Sequence, residues 1–95
     1  MGSKFANVPV DEGTKIIYQQ EALFGNYPVL YQKWHWEGVV AESFVFANED
    51  IADLSDEALE KEVEESPMNK KNSRTTVKKT DDGFTFVNFN FEVLE

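Results

Sequence analysis

The chain has no cysteine, which excludes disulfide frameworks, thiolate metal sites and cysteine nucleophiles. It has one histidine, His35, and three prolines. No stretch approaches the roughly 20 apolar residues needed to cross a bilayer, and residues 1–20 lack the apolar core of a secretion signal. A cytoplasmic location without membrane contact is therefore expected. Met1-Gly2-Ser3 opens like a myristoylation signal, but Ala6 stands where that signal requires Ser or Thr. Positive charge is also scarce. Nine Lys and Arg face 18 Asp and Glu, a formal charge of −9, which argues against a nucleic-acid partner and favours a neutral or cationic one. No repeat of fixed period and no low-complexity tract occurs, so solenoid arrays are set aside.

Against these absences stand 95 residues that are 41 % apolar, with eight Phe, three Tyr and two Trp, a composition that folds. The length suits one thin-cored domain, placed at residues 14–93. Residues 1–13 are expected to form a partly disordered N-terminal segment.

Alternating apolar residues and turn dipeptides organise the chain into hairpins. Residues 14–24 carry Ile16, Ile17 and Tyr18 ahead of Gly25-Asn26. A short helix capped by Thr14 also fits them, but a strand gives the three apolar residues cross-strand partners. Residues 29–36 and 39–46 flank Glu37-Gly38. With that pair as the loop, Trp36 meets Val39, Trp34 meets Ala41, Lys33 meets Glu42, Tyr31 meets Phe44 and Leu30 meets Val45. Leu30, Trp34, Trp36, Val39 and Val45 then share one face, and Val29, Tyr31, His35, Val40, Phe44 and Phe46 the other. A helix covers only one such face, so the second calls for further strands, a ligand or a second copy in a homodimer.

Residues 48–66 read as helical, with residues 49–53 either a preceding turn or a backward extension of the same helix. Ser55 is a serine N-cap with Leu54 and Leu59 as a hydrophobic staple, Ile51, Leu54, Ala58, Leu59 and Val63 form an apolar stripe, and Pro67 bars continuation. A final hairpin joins residues 74–80 to 84–93 through the loop Asp81-Asp82-Gly83, which sets Val77 opposite Val87. Strict alternation would then place Val87, Phe89, Phe91 and Val93 in the core, with Asn88, Asn90 and Glu92 outward, and leave Phe84 and Phe86 on the outward face near the tip. The fold expected is α+β: an antiparallel sheet of four to five strands in hairpins, with one acidic helix packed on one face.

Charge is distributed unevenly. Nine acids, Glu49, Asp50, Asp53, Asp56, Glu57, Glu60, Glu62, Glu64 and Glu65, crowd residues 49–65 against Lys61 alone. The helix macrodipole accounts for Asp56 and Glu57 at the start, but it disfavours Glu64 and Glu65 at the end. Glu60 sits at repulsive spacing from Asp56, Glu57 and Glu64. The neutral explanation is a solvated face that keeps a small protein soluble. The functional one is a docking surface built from Asp53, Asp56, Glu57, Glu60 and Glu64 for a basic protein surface, in the extreme a mimic of nucleic-acid phosphates. A calcium loop is not indicated, because Asp50, Asp53 and Asp56 recur at helical spacing without the glycine such a loop needs. Lys70, Lys71, Arg74, Lys78 and Lys79 follow the acidic run, and their simplest role is to soften its field.

Gly83, Phe84, Phe86, Val87 and Phe89 resemble the RNP1 motif of the RRM family of RNA-binding domains, with Asp82 at the basic position and Thr85 at the small one. The resemblance covers eight residues. It implies that Phe84 and Phe86 stack on bases of single-stranded RNA. Together with Trp34 and Trp36 they form the candidate aromatic surface, and two tryptophans on one sheet face also suit a small-molecule or oligosaccharide ligand. No nucleophile elbow, phosphate loop or zinc-binding helix occurs, and His35 has no catalytic companion in sequence. The chain therefore reads as a non-enzymatic interaction module, an inhibitor or adaptor, with no metal or cofactor implied.

Overall fold

The computed structural model describes residues 4–70 and 74–94. Five strands form one antiparallel sheet: β1 (Lys15–Phe24), β2 (Tyr27–Trp36), β3 (Val39–Ala47), β4 (Thr76–Lys79) and β5 (Phe84–Val93), in the order β1-β2-β3-β5-β4. Between β3 and β4 come a single 3-10 turn, Asn48–Ile51, and one helix, α1 (Asp56–Glu64). This is the expected α+β architecture of hairpins with one inserted helix.

The turn chemistry sets the registers. Residues 15–24 form a strand and not a helix, because Gly25-Asn26 closes a two-residue loop, with Gly25 at φ 60°, that pairs Phe24 with Tyr27. In the next hairpin Glu37 and Gly38 both take positive φ, the conformation of a tight turn matched to strand twist. All five pairings read from the sequence, from Trp36 with Val39 to Leu30 with Val45, are present. The third hairpin turns through residues 81–83 with Gly83 at φ 96°, and Val77 faces Val87 as expected.

Each face of the sheet has its own apolar cluster. On one, Val29, Phe44, Phe46, Val87 and Phe89 pack against Ile51, Leu59 and Val63. The Ser55 hydroxyl accepts the Ala58 N–H (3.1 Å) and starts α1 in the orientation that buries Leu59 and Val63, each such side chain contributing roughly 1.5–3 kcal/mol. On the opposite face Leu30, Val45 and Phe84 meet Phe5, with Val8 and Phe86 beside them. Residues 4–14 run across this second face, and the rings of Phe5 and Phe84 lie 6.3 Å apart.

Three expectations about β5 are corrected. Phe91 and Val93 are not core residues: they are 40 % and 73 % exposed. Asn90, expected outward, is buried at φ 55°, and the pairing of β3 with β5 slips between Val40 and Glu42. A bulge at Asn90 inserts one residue and reverses the facing of everything after it. Phe84, expected outward with Phe86, is only 7 % exposed because Phe5 covers it. Phe86 is half-buried in the same cluster.

Candidate functional site

Two surfaces hold the residues singled out from the sequence, one on each side of the sheet. The first is the solvent side of α1. Asp53, Asp56, Glu57 and Glu64 are exposed and Glu60 is half-exposed. At 3.6 residues per turn Glu57, Glu60 and Glu64 fall on one stripe, about a third of a turn from the buried stripe of Leu59 and Val63. Among the described residues, salt bridges meet this region at its edges. Lys4 Nζ lies 2.8 Å from Asp50, and Lys79 Nζ 3.2 Å from Asp56. The hydrogen bond to Asp50 holds the Lys4 ammonium above its ordinary value of 10.5. Lys78 is directed to Asp11, 2.9 Å away on the other face. Among the described residues Asp53, Glu57, Glu60 and Glu64 take part in no salt bridge, with Lys61 or with any other cation. Of the five expected docking residues, then, Asp56 is partly neutralised inside the chain and the other four are not. Lys71 of the basic run lies outside the described residues.

The second surface is a cavity of about 410 Å³ between the sheet and residues 9–14. Trp34, Trp36 and Phe86 of the expected aromatic surface line it, together with Ile16, Gln32 and Asn88, whereas Phe84 does not. Gln32 and Asn88 of its floor belong to a cross-strand row of uncharged polar residues running over all five strands. Gln19 pairs with Gln32, Gln32 with Ser43, Ser43 with Asn88 and Asn88 with Thr76. Hydrogen bonds follow the row: Gln32 Nε2 donates to Gln19 Oε1 (3.2 Å), Ser43 Oγ to Asn88 Oδ1 (2.5 Å) and Asn88 Nδ2 to Thr76 Oγ1 (3.3 Å). Trp34 Nε1 joins by donating to Ser43 Oγ (2.7 Å), and the ring of Phe91 meets the Trp34 ring edge-on at 6.3 Å. The bulge at Asn90 is what turns Phe91 to this side. Gly13, at φ 88°, passes over Trp36, where an added Cβ would make ordinary van der Waals contact, 3.7 Å, with the indole Cδ1 and Nε1.

Sequence reasoning found the tryptophans but missed the roof of the cavity. Only the chain's return over the sheet shows that Pro9, Asp11 and Thr14 belong beside Trp36. The polar row was present as a signal in the matched polar positions of the hairpins, but it emerges only when the hairpins are set in order.

A third feature lies on the helix side. Tyr31 donates its hydroxyl to Glu42 Oε1 (2.7 Å) and Asn90 Nδ2 donates to Glu42 Oε2 (2.8 Å). Burial, then the hydrogen bond to Glu42 and its negative charge, push the Tyr31 phenol well above its ordinary value of 10.0. Lys33, directly across the ladder from Glu42, makes no salt bridge with it among the described residues. His35 is half-buried on this face, and among the described residues no three His, Asp or Glu side chains converge on a point that could hold a metal ion. No described helix is long and apolar enough to cross a membrane. Neither a protein-family model, nor a curated protein, nor a solved structure matches the chain.

Proposed function

We propose that the protein is a non-enzymatic interaction module, an inhibitor or adaptor, that docks the exposed stripe of α1 on a basic protein surface. One observation carries this reading. Glu57, Glu60 and Glu64 stand together without a cation among the described residues, while Lys78 and Lys79 are committed to Asp11 and Asp56. Repulsion between acids three and four residues apart costs a few tenths of a kcal/mol per pair, and Glu64 adds an unfavourable charge at the negative end of the helix. A cationic partner relieves both. Because the acids lie on a regular stripe, a row of Lys or Arg of the kind that binds nucleic-acid phosphates is the complementary surface.

The test compares two variants of equal net charge. Partners captured from the source cell by the wild-type chain at low salt should be lost in Glu60→Lys/Glu64→Lys, retained in Glu21→Lys/Glu92→Lys, and released as screening shortens the Debye length below about 8 Å. If the stripe variant keeps the same partners, the stripe is not the contact, and if both variants lose them equally, net charge alone accounts for the binding; either result overturns the docking surface.

A further inference from the structure

We propose that the cavity under residues 9–14 is a binding site for a neutral saccharide, a hydroxylated ring that stacks on Trp34 and Trp36. Its volume, about 410 Å³, lies within the range of small-molecule sites. Its lining combines two surfaces of different chemistry. Ile16, Trp34, Trp36 and Phe86 are broad and apolar, and Trp36 keeps 40 % of its surface exposed. Gln32 and Asn88, from the polar row, present amides among them.

The hydrogen-bond inventory of that floor is incomplete. Gln32 is 3 % exposed as a residue and gives one amide hydrogen to Gln19, while among the described residues nothing donates to its Oε1, which solvent still reaches. An acceptor without a partner in the lining of a cavity is available to a donor from a ligand. Asn88 uses Oδ1 toward Ser43 and one hydrogen toward Thr76, which leaves its second amide hydrogen for a ligand. Acceptor and donor side by side match hydroxyl groups, each of which both donates and accepts. The indole of Trp34 is held ready, because its Nε1–H is bound to Ser43 and its ring is braced by Phe91.

Charge and polarity exclude the competing ligand classes. Lys78 lines the cavity but is neutralised by Asp11, and Glu12 and the net charge of −9 oppose an anion. A wholly apolar guest leaves Gln32 Oε1 desolvated, at a cost of the order of a lost hydrogen bond. A quaternary ammonium suits aromatic rings but has no hydrogen to offer Gln32. A sugar ring presents C–H faces to indole and hydroxyls to amides, and so satisfies both kinds of lining. Residues 9–14 close over it, secured by the Lys78–Asp11 pair and by a Thr14 N–H to Asp11 carbonyl bond of 3.0 Å.

Proton–nitrogen correlation spectra of the full chain test this directly. The two indole N–H signals and the Gln32 side-chain amide are followed during titration with cellobiose, maltose, xylobiose, galactose and N-acetylglucosamine. At least one sugar should move the Trp36 and Gln32 signals saturably, and Trp36→Ala and Gln32→Met should each weaken that affinity about tenfold. Circular dichroism on both variants establishes that the fold is retained. The proposal is overturned if no sugar moves these signals, if only tetramethylammonium or adenosine does, or if a folded Trp36→Ala binds as well as wild type. The Glu60→Lys/Glu64→Lys chain should bind the sugar unchanged, so this site and the helix surface stand or fall separately.

Discussion

Tyr31 and Glu42 show how single residues on this sheet exchange one kind of bond for another. The ladder sets Glu42 opposite Lys33, and a surface ion pair there would contribute little. Glu42 instead takes a phenol hydrogen from Tyr31 and an amide hydrogen from Asn90, both part-buried bonds that water screens less. The consequence is a pH dependence with a definite sign. The unfolded chain releases the Tyr31 proton near 10.0, whereas the folded chain holds it to higher pH. The stabilisation is therefore complete below 10.0 and is lost as the pH rises beyond it. Tyr31→Phe should lower stability at neutral pH by about 1 kcal/mol. It should also flatten the alkaline fall in stability, read from urea melts at neutral and alkaline pH. An unchanged alkaline limb would show that the bond to Glu42 does not hold the phenol protonated.

At the scale of the element, β5 carries the main departure from alternation. Asn90 takes a left-handed φ of 55°, a region that Asn tolerates better than most residues. Its side chain also ties down the segment after α1: Oδ1 accepts the Lys70 N–H (2.7 Å) and Nδ2 donates to the Met68 carbonyl (2.7 Å). Asn90→Ala should cost roughly 1–3 kcal/mol from the partners it leaves unsatisfied, with strain in addition. Asn90→Gly should recover only the strain, and chemical denaturation of the two variants separates the contributions. The bulge was not legible in the sequence, because Phe89, Asn90 and Phe91 alternate as an ordinary strand does and nothing local marks the inserted residue. The hairpins were legible because Gly25, Gly38 and Gly83 fix loop lengths, and loop length fixes register. The helix was legible from Ser55 and its staple. The tryptophan wall of the cavity followed from register alone. Its roof did not, since residues 9–14 reach it through contacts distant in sequence, such as that between Asp11 and Lys78.

Across the whole molecule, the −9 charge is distributed so that attraction is sparse and repulsion concentrated. The three salt bridges found among the described residues, Lys4–Asp50, Lys78–Asp11 and Lys79–Asp56, are partly or largely exposed. Pairs of that kind contribute about 0–1 kcal/mol each. Opposing them are nine acids within residues 49–65 and only Lys61 among them. Salt weakens both terms, but the repulsive one is the larger, so raising the ionic strength should stabilise the folded chain. The melting temperature is therefore expected to climb with sodium chloride before levelling off as the Debye length falls below the spacing between helix turns. In Glu60→Lys/Glu64→Lys the same titration should be nearly flat and should start from a higher melting temperature, because a cation at position 60 stands at favourable spacing from Asp56 and Glu57 and one at position 64 adds to Lys61 at the negative end of the helix. A wild-type melting temperature that falls with salt would mean that the three pairs outweigh the crowding. The acids of α1 would then stand at no energetic loss, and the physical reason for seeking their partner outside the chain would be gone.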